Sequence, residues 1–149
     1  MKIAIISDTH GEIPQTAWDY TTECEYIIHA GDIGSRACYE KLRGSGKKVY
    51  MVKGNNDWGS WCQFIPKTLS FTICGKLFYL IHDSYRLSYP YPEVDYVISG
   101  HTHKFDCEFK NGAMYINPGS TTEARGGSCT MAILHLEEED SPRVEPIIL

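Results

Sequence analysis

The stretch KIAIISDTHG, residues 2–11, sets four apolar residues between Lys2 and Ser7 and then breaks at once into Asp8, Thr9, His10 and Gly11. An apolar run this short, closed by a polar turn, predicts a buried first strand. It has neither the length nor the cleavage site of a secretory leader, so the reading places the chain in the cytoplasm.

Outward from that strand, helix and strand alternate. Pro14 to Glu23 predicts a helix and Tyr26 to His29 a second strand. Ser35 is the expected N-cap of a helix running to about Arg43, ended by Gly44 and Gly46. Lys48 to Val52 completes a β-α-β-α-β start, which calls for a parallel sheet. Past Lys67 the helical period disappears. Leu69 to Cys74 and Leu77 to Ile81 predict a hairpin about Gly75 and Lys76, and Val94 to Ser99 a further strand. Lys104 to Phe109 and Ala113 to Ile116 predict a second hairpin about Asn111 and Gly112, with Cys129 to Leu136 and Val144 to Leu149 as the last strands. One strand-rich α/β domain over residues 1–149 is expected.

Composition agrees. A chain of 149 residues with 42% apolar content can build a core without disulfides. Its six cysteines, Cys24, Cys38, Cys62, Cys74, Cys107 and Cys129, form no C-x-x-C pair and suit a reducing compartment. No stretch approaches the length of a membrane span. With 14 Lys plus Arg against 19 Asp plus Glu, nothing in the charge balance fits an extended nucleic acid. Two divalent cations would carry the formal charge from −5 to about −1, so attraction of an anionic substrate would be local to such ions. The acidic run at residues 137–140 reads as a solvated turn.

Five punctuated stretches fall at the C-terminal ends of the expected strands: Asp8 to Gly11, Gly31-Asp32, Gly54 to Asp57, Ile81-His82, and Gly100 to His103. In open α/β sheets that edge is where ligands bind, so residues far apart in sequence converge there. Asp8, His10, Asp32, Asn55, His82, His101 and His103 supply carboxylate and amide oxygens and imidazole nitrogens, a donor set suited to first-row divalent metals. The spacing in Asp8-x-His10 and His101-x-His103 can place both members of a pair around one centre, and the flanking glycines let the backbone turn sharply.

The order D-x-H, G-D, G-N, a lone His, then G-H-x-H resembles the signature of the calcineurin-like metallophosphoesterases, and Asn117-Pro118-Gly119-Ser120 is similar to their small bacterial and archaeal phosphodiesterase branch. That resemblance implies a four-layer α/β/β/α sandwich of two mixed sheets. It implies Asp8, His10 and His103 on one metal, Asn55, His82 and His101 on a second, and Asp32 bridging both. Hydroxide shared by the two ions would be the nucleophile on a small phosphate ester. Mn2+ is the leading metal, with Fe, Ni2+, Co2+ or Zn2+ as alternatives, and a dimer or tetramer is the assembly the branch suggests. A monoesterase acting on nucleotides and a non-catalytic protein-binding scaffold are the competing functions.

Two departures matter. Many relatives carry His, a general acid, where this chain has Asn56; an amide can bind a phosphate oxygen but delivers no proton, which favours diesters. After His82 comes Asp83 rather than Gly, and residues 83–93 are too short and too rich in Pro and Tyr for a helix. Asp57 is expected to orient ligands, and Arg125 to meet a substrate phosphate or simply solvent. Trp58, Trp61 and Phe64 wall the substrate cleft, cover a subunit interface or simply pack within their loop. His29 and His135 read as structural first, with His29 a candidate support for Asp32.

Overall fold

The structure is a computed structural model that describes residues 1–137 and 141–149. In chain order its elements are β1 (Lys2–Ile6), α1 (Gln15–Thr21), β2 (Tyr26–His29), α2 (Arg36–Arg43), β3 (Lys48–Met51), β4 (Thr68–Ile73), β5 (Lys76–Ile81), β6 (Tyr96–Ile98), β7 (Phe105–Lys110), β8 (Ala113–Pro118), β9 (Thr130–His135) and β10 (Arg143–Ile148). They form two five-stranded mixed sheets, ordered β10-β9-β1-β2-β3 and β4-β5-β6-β8-β7. Strands β1, β2 and β3 run parallel, as do β5, β6 and β8, while β9 and β10 of the first sheet and the edge strands β4 and β7 of the second pair antiparallel.

Strand alternation explains the layers. Ile3 and Ile5 of β1 point into the space between the sheets, and Ala4 and Ile6 point to the opposite face, beneath the helices; all four are fully buried. On the helical side Ser35 caps α2, its Oγ accepting from Cys38 N at 3.1 Å, and Cys38 and Leu42, four residues apart, face the sheet. Between the sheets Ile28 and Val52 meet Phe78, Leu80, Tyr96 and Ile98. An aromatic seam joins them at one edge, with ring centroids 3.8 Å apart for Tyr50 and Phe71, 5.2 Å for Phe71 and Phe78, and 4.8 Å for Phe78 and Tyr96.

The outer face of the second sheet carries Ile81, Val97, Ala113 and Tyr115, packed against Leu87 and Val94 of the connecting segment. No helix forms there; a single 3-10 turn, Ser84–Arg86, stands in its place, as Pro90 and Pro92 require. One expected turn is shifted. Ile73 pairs with Lys76, so the first hairpin turns on Cys74 and Gly75, both left-handed at φ 50° and 74°, rather than on Gly75 and Lys76. The second hairpin turns on Asn111 and Gly112 as expected. Of the acidic run, residues 138–140 lie outside the described residues. Among the described residues, no helix is long and apolar enough to cross a membrane.

Candidate metal centre

The C-terminal ends of β1, β2, β3, β5 and β6 meet at one edge, and backbone bonds lock their loops together. Asp8 N donates to the Gly31 carbonyl at 2.9 Å, His10 N to that of Asp32 at 3.0 Å, and Gly100 N to that of His82 at 2.9 Å. Glycine is required where the loops cross. A Cβ on Gly100 would lie 2.0 Å from Ser7 Oγ, and one on Gly54 would lie 2.1 Å from Asp32 Oδ1.

This convergence is bought with backbone strain. Asp8, His10, Asp32, His101 and His103 all have positive φ, between 49° and 72°. The described non-glycine residues with positive φ other than these are Cys74 and Asn111, both in hairpin turns. A left-handed L-residue costs about 1–2 kcal/mol, somewhat less for Asp, so the strain is concentrated on the side chains that would bind metal.

Two groups of donors result. In the first, His103 Nε2 lies 3.2 Å from Asp8 Oδ1 and 3.3 Å from His10 Nε2, and His10 Nε2 is 3.8 Å from both Asp8 Oδ1 and Asp32 Oδ2. In the second, Asn55 Oδ1 is 2.9 Å from His82 Nε2 and 3.2 Å from His101 Nδ1. Asp32 Oδ2 stands between them, 3.5 Å from His82 Nε2. All seven residues singled out in the sequence are thus brought together.

The far ring nitrogens fix what faces inward. His82 Nδ1 meets the Ala30 carbonyl at 2.7 Å and His103 Nδ1 meets the Glu123 carbonyl, so in the neutral rings both Nδ1 atoms carry the hydrogen. Each Nε2 then directs a lone pair at another acceptor: Asn55 Oδ1 for His82, Asp8 Oδ1 for His103. Lone pairs opposed at such distances call for a cation between them. Asp8 Oδ1 adds to the case, since it is buried without a hydrogen-bond partner. Burial works against a charge on His82, yet the Asp32 side chain and the negative charge of Asp8 outweigh it and raise the ring's pKa. Asp32 is opposed by burial too, but the nearby His82 ring, 3.5 Å away, and the hydrogen bond from the Asn56 backbone hold it well below the usual carboxylate range. With oxygen and imidazole donors and no thiolate, the pocket fits divalent first-row cations.

The surrounding residues divide by what they touch. Asn56 spends its backbone N–H on Asp32 Oδ1 at 2.9 Å and its side-chain amide on Asp32 Oδ2 at 2.8 Å. Asp57 reaches no imidazole; its oxygens accept from the backbone N–H groups of Ile33, Gly34 and Gly54, pinning the Asp32 loop to the Asn55 loop. His29 Nδ1 accepts from Gly31 N, which leaves Nε2–H to donate to Thr9 Oγ1 at 3.0 Å, so this ring braces two loops without touching Asp32. Burial drives its pKa down to about 3. Ser120 Oγ donates to the Asp8 carbonyl at 2.8 Å and Asn117 Nδ2 to that of Gly100 at 2.9 Å, so the Asn117-Pro118-Gly119-Ser120 stretch braces two of the loops that carry the donors.

Other expectations fare differently. Arg125 is exposed, and its contact with the centre is a backbone N–H to the His103 carbonyl at 3.3 Å. Trp58 and Phe64 are exposed and Trp61 packs on Tyr39, so none of the three walls the cleft. His135 pairs with Glu145 far from the centre. Two features went unread in the sequence: Glu123, whose Oε2 lies 3.6 Å from His10 Nε2, and a cleft of about 490 Å³ beside the second group, flanked by Lys53, Lys67 and Arg86. Glu123 lies just two residues before Arg125, the one signal near it in sequence; the three cations carry no motif.

The profile of the calcineurin-like phosphoesterase superfamily domain matches residues 1–139. The chain belongs to this superfamily. Within it, a probable metallophosphoesterase of Methanothermobacter thermautotrophicus is 32% identical, the match covering 93% of this chain and 88% of the relative. A phosphodiesterase of Methanocaldococcus jannaschii is 28% identical over 94% of this chain and 96% of its own length. Among solved structures, an archaeal phosphodiesterase superposes with a TM-score of 0.81 at 28% identity, covering all of both chains. As a calcineurin-like phosphoesterase the chain carries the two-sheet fold of the superfamily and candidate residues for divalent metal.

Proposed function

We propose that the chain is a dinuclear metal-dependent phosphodiesterase, with Asp8, His10 and His103 holding one ion, Asn55, His82 and His101 the other, and Asp32 shared. The observation that carries this reading is the pair of inward-facing donor groups on either side of one carboxylate. Two divalent cations there would acidify a water and offset the negative charge that builds on the phosphoryl oxygens. In the reaction the water oxygen bonds to phosphorus, one ester P–O bond breaks, and the products are a monoester, an alcohol and a proton.

The chain's own residues supply positioning. Asn56, Asp57 and His29 hold the loops of Asp8, Asp32 and Asn55 in register, so the donors need no rearrangement to bind. The Asn56 amide, engaged with Asp32, offers no proton to a leaving group, which favours diesters with acidic leaving groups over monoesters of alkyl alcohols. The relatives named as phosphodiesterases support the same choice. Mn2+ is the proposed native metal.

The test is hydrolysis of an aryl phosphodiester and the matching monoester after reconstitution with Mn2+, Ni2+ or Zn2+, beside a chelated control. Diester turnover lost on chelation is expected. Monoester preference would overturn the substrate reading, and tight metal binding with no turnover would overturn the enzyme reading.

A further inference from the structure

The cleft beside the second donor group is lined on its inner side by Asn55, His82 and His101, so whatever fills it lies directly against that group. Its outer walls bring Lys53, Lys67 and Arg86 together from three separate segments. Lys53 N donates to the Pro66 carbonyl at 2.8 Å, which ties the segment after β3 to the one before β4 and sets both lysines along one seam. Arg86 approaches from the 3-10 turn after β5. In a chain of formal charge −5 this is a local reversal of sign.

The balance inside the cleft is positive. Asp83 is the one carboxylate in the lining, and its Oδ2 already stands 3.9 Å from Arg86 Nε and 3.8 Å from His101 Nε2. Among the described residues, neither the Lys53 nor the Lys67 ammonium makes an ion pair or a hydrogen bond. Metal in the adjoining centre would add to this charge, yet two ions alone suffice for a scissile phosphate. The volume of about 490 Å³ exceeds what a single phosphate needs and matches a ligand with a further group attached. Apart from the two imidazoles no aromatic ring lines it, so a stacked base finds no platform while an anion finds three cations.

We propose that this cleft is a second-anion site: the substrate is a phosphodiester one of whose substituents carries a further phosphate, gripped by Lys53, Lys67 and Arg86 while the diester lies over the metal centre. The inference rests on the phosphodiesterase reading. It makes these three residues determinants of specificity, recognising charge at a fixed distance from the scissile bond.

The experiment compares kcat/KM of the Mn2+-loaded full chain for thymidine 5′-(p-nitrophenyl phosphate) with and without a 3′-phosphate, in wild type, in Lys53→Gln/Lys67→Gln and in Lys76→Gln. Lys76 sits at the far end of β5, by the hairpin turn. The expected result is a preference of about tenfold or more for the 3′-phosphorylated probe, falling towards one in the double variant and kept in Lys76→Gln. A wild-type ratio near one, or a ratio unmoved by the double substitution, overturns the inference and leaves the phosphodiesterase reading intact. If neither probe is hydrolysed, that reading fails by itself. Calorimetry with thymidine 3′,5′-bisphosphate against thymidine 5′-phosphate then decides the cleft: lysine-dependent tighter binding of the bisphosphate supports an anion site, and equal affinities sink it.

Discussion

Replacing Gly54 by alanine tests the geometry of the centre at its narrowest point. The added Cβ would lie 2.1 Å from Asp32 Oδ1, 2.3 Å from Asp32 N and 2.9 Å from Asp32 Cγ. Ordinary contact begins near 3.4 Å, so the Asp32 carboxylate and the Asn55 loop must part by roughly 1.3 Å. Two of the three obstructing atoms belong to the carboxylate itself, and the third is backbone with no rotamer to change. A shift of about 1 Å in a reacting constellation costs about a hundredfold, and overpacking typically costs about 1–3 kcal/mol of stability. Gly46→Ala separates these effects: at φ +76° with nothing within 4 Å of its Cβ, it carries strain of about 1–2 kcal/mol and no steric push on the centre. Aryl diester turnover after Mn2+ reconstitution, urea midpoints and calorimetric metal affinity would be measured on both variants. Expected are a loss of about a hundredfold or more in turnover with weakened metal binding for Gly54→Ala, and stability loss alone for Gly46→Ala. Turnover within threefold of wild type and unchanged metal affinity in Gly54→Ala would refute the claim that Asp32 must hold this position.

Other substitutions probe separate parts of the molecule. Asp32→Ala should lower diester hydrolysis by at least about a hundredfold while circular dichroism keeps the native spectrum; retained activity would overturn the proposed bridging role of Asp32. His29, with its pKa near 3 folded against an ordinary value near 6.5, takes up a proton first in the unfolded chain, so stability is full above pH 6.5 and falls with pH below it. Between pH 7 and 5 the loss should reach roughly 2 kcal/mol, and urea titrations should show that increment missing in His29→Gln. Phe78→Ala removes a fully buried ring from the seam between the sheets and should cost about 3–5 kcal/mol by denaturant titration; a cost under about 1 kcal/mol would mean that the sheets do not depend on it.

The first half of the fold was readable because its signals are local. The apolar run from Lys2 to Ile6, the Ser35 cap and the Gly44 stop each fix an element within a few residues, and observed strand and helix ends there lie within two positions of the expected ones. The first hairpin turn was displaced because Gly75 can occupy either central position of a two-residue turn, and only the pairing of Ile73 with Lys76 decides which. The seven donors were legible because each sits at a strand end beside a characteristic neighbour. Their strained backbone was not, since positive φ at His10, His101 and His103 is imposed by loops from other parts of the chain. Asp57 shows the same limit: an acid two residues after Asn55 is expected to orient ligands, while three backbone N–H groups from two loops have the stronger claim on it. Lys53, Lys67 and Arg86 are ordinary surface cations in sequence, and only the approach of the 3-10 turn to the Lys53–Lys67 seam gives them a common target.

The seven donors are divided between the two sheets: Asp8, His10, Asp32 and Asn55 follow strands of the first, and His82, His101 and His103 follow strands of the second. Ions seated among them would act as rivets across the sandwich, present only after the two halves have docked. By mass action, metal at a hundred times its dissociation constant would add about 2.7 kcal/mol to the native state. A chelator would then shorten the protein's lifetime against proteolysis as well as silence it, coupling the abundance of the protein to the supply of its metal.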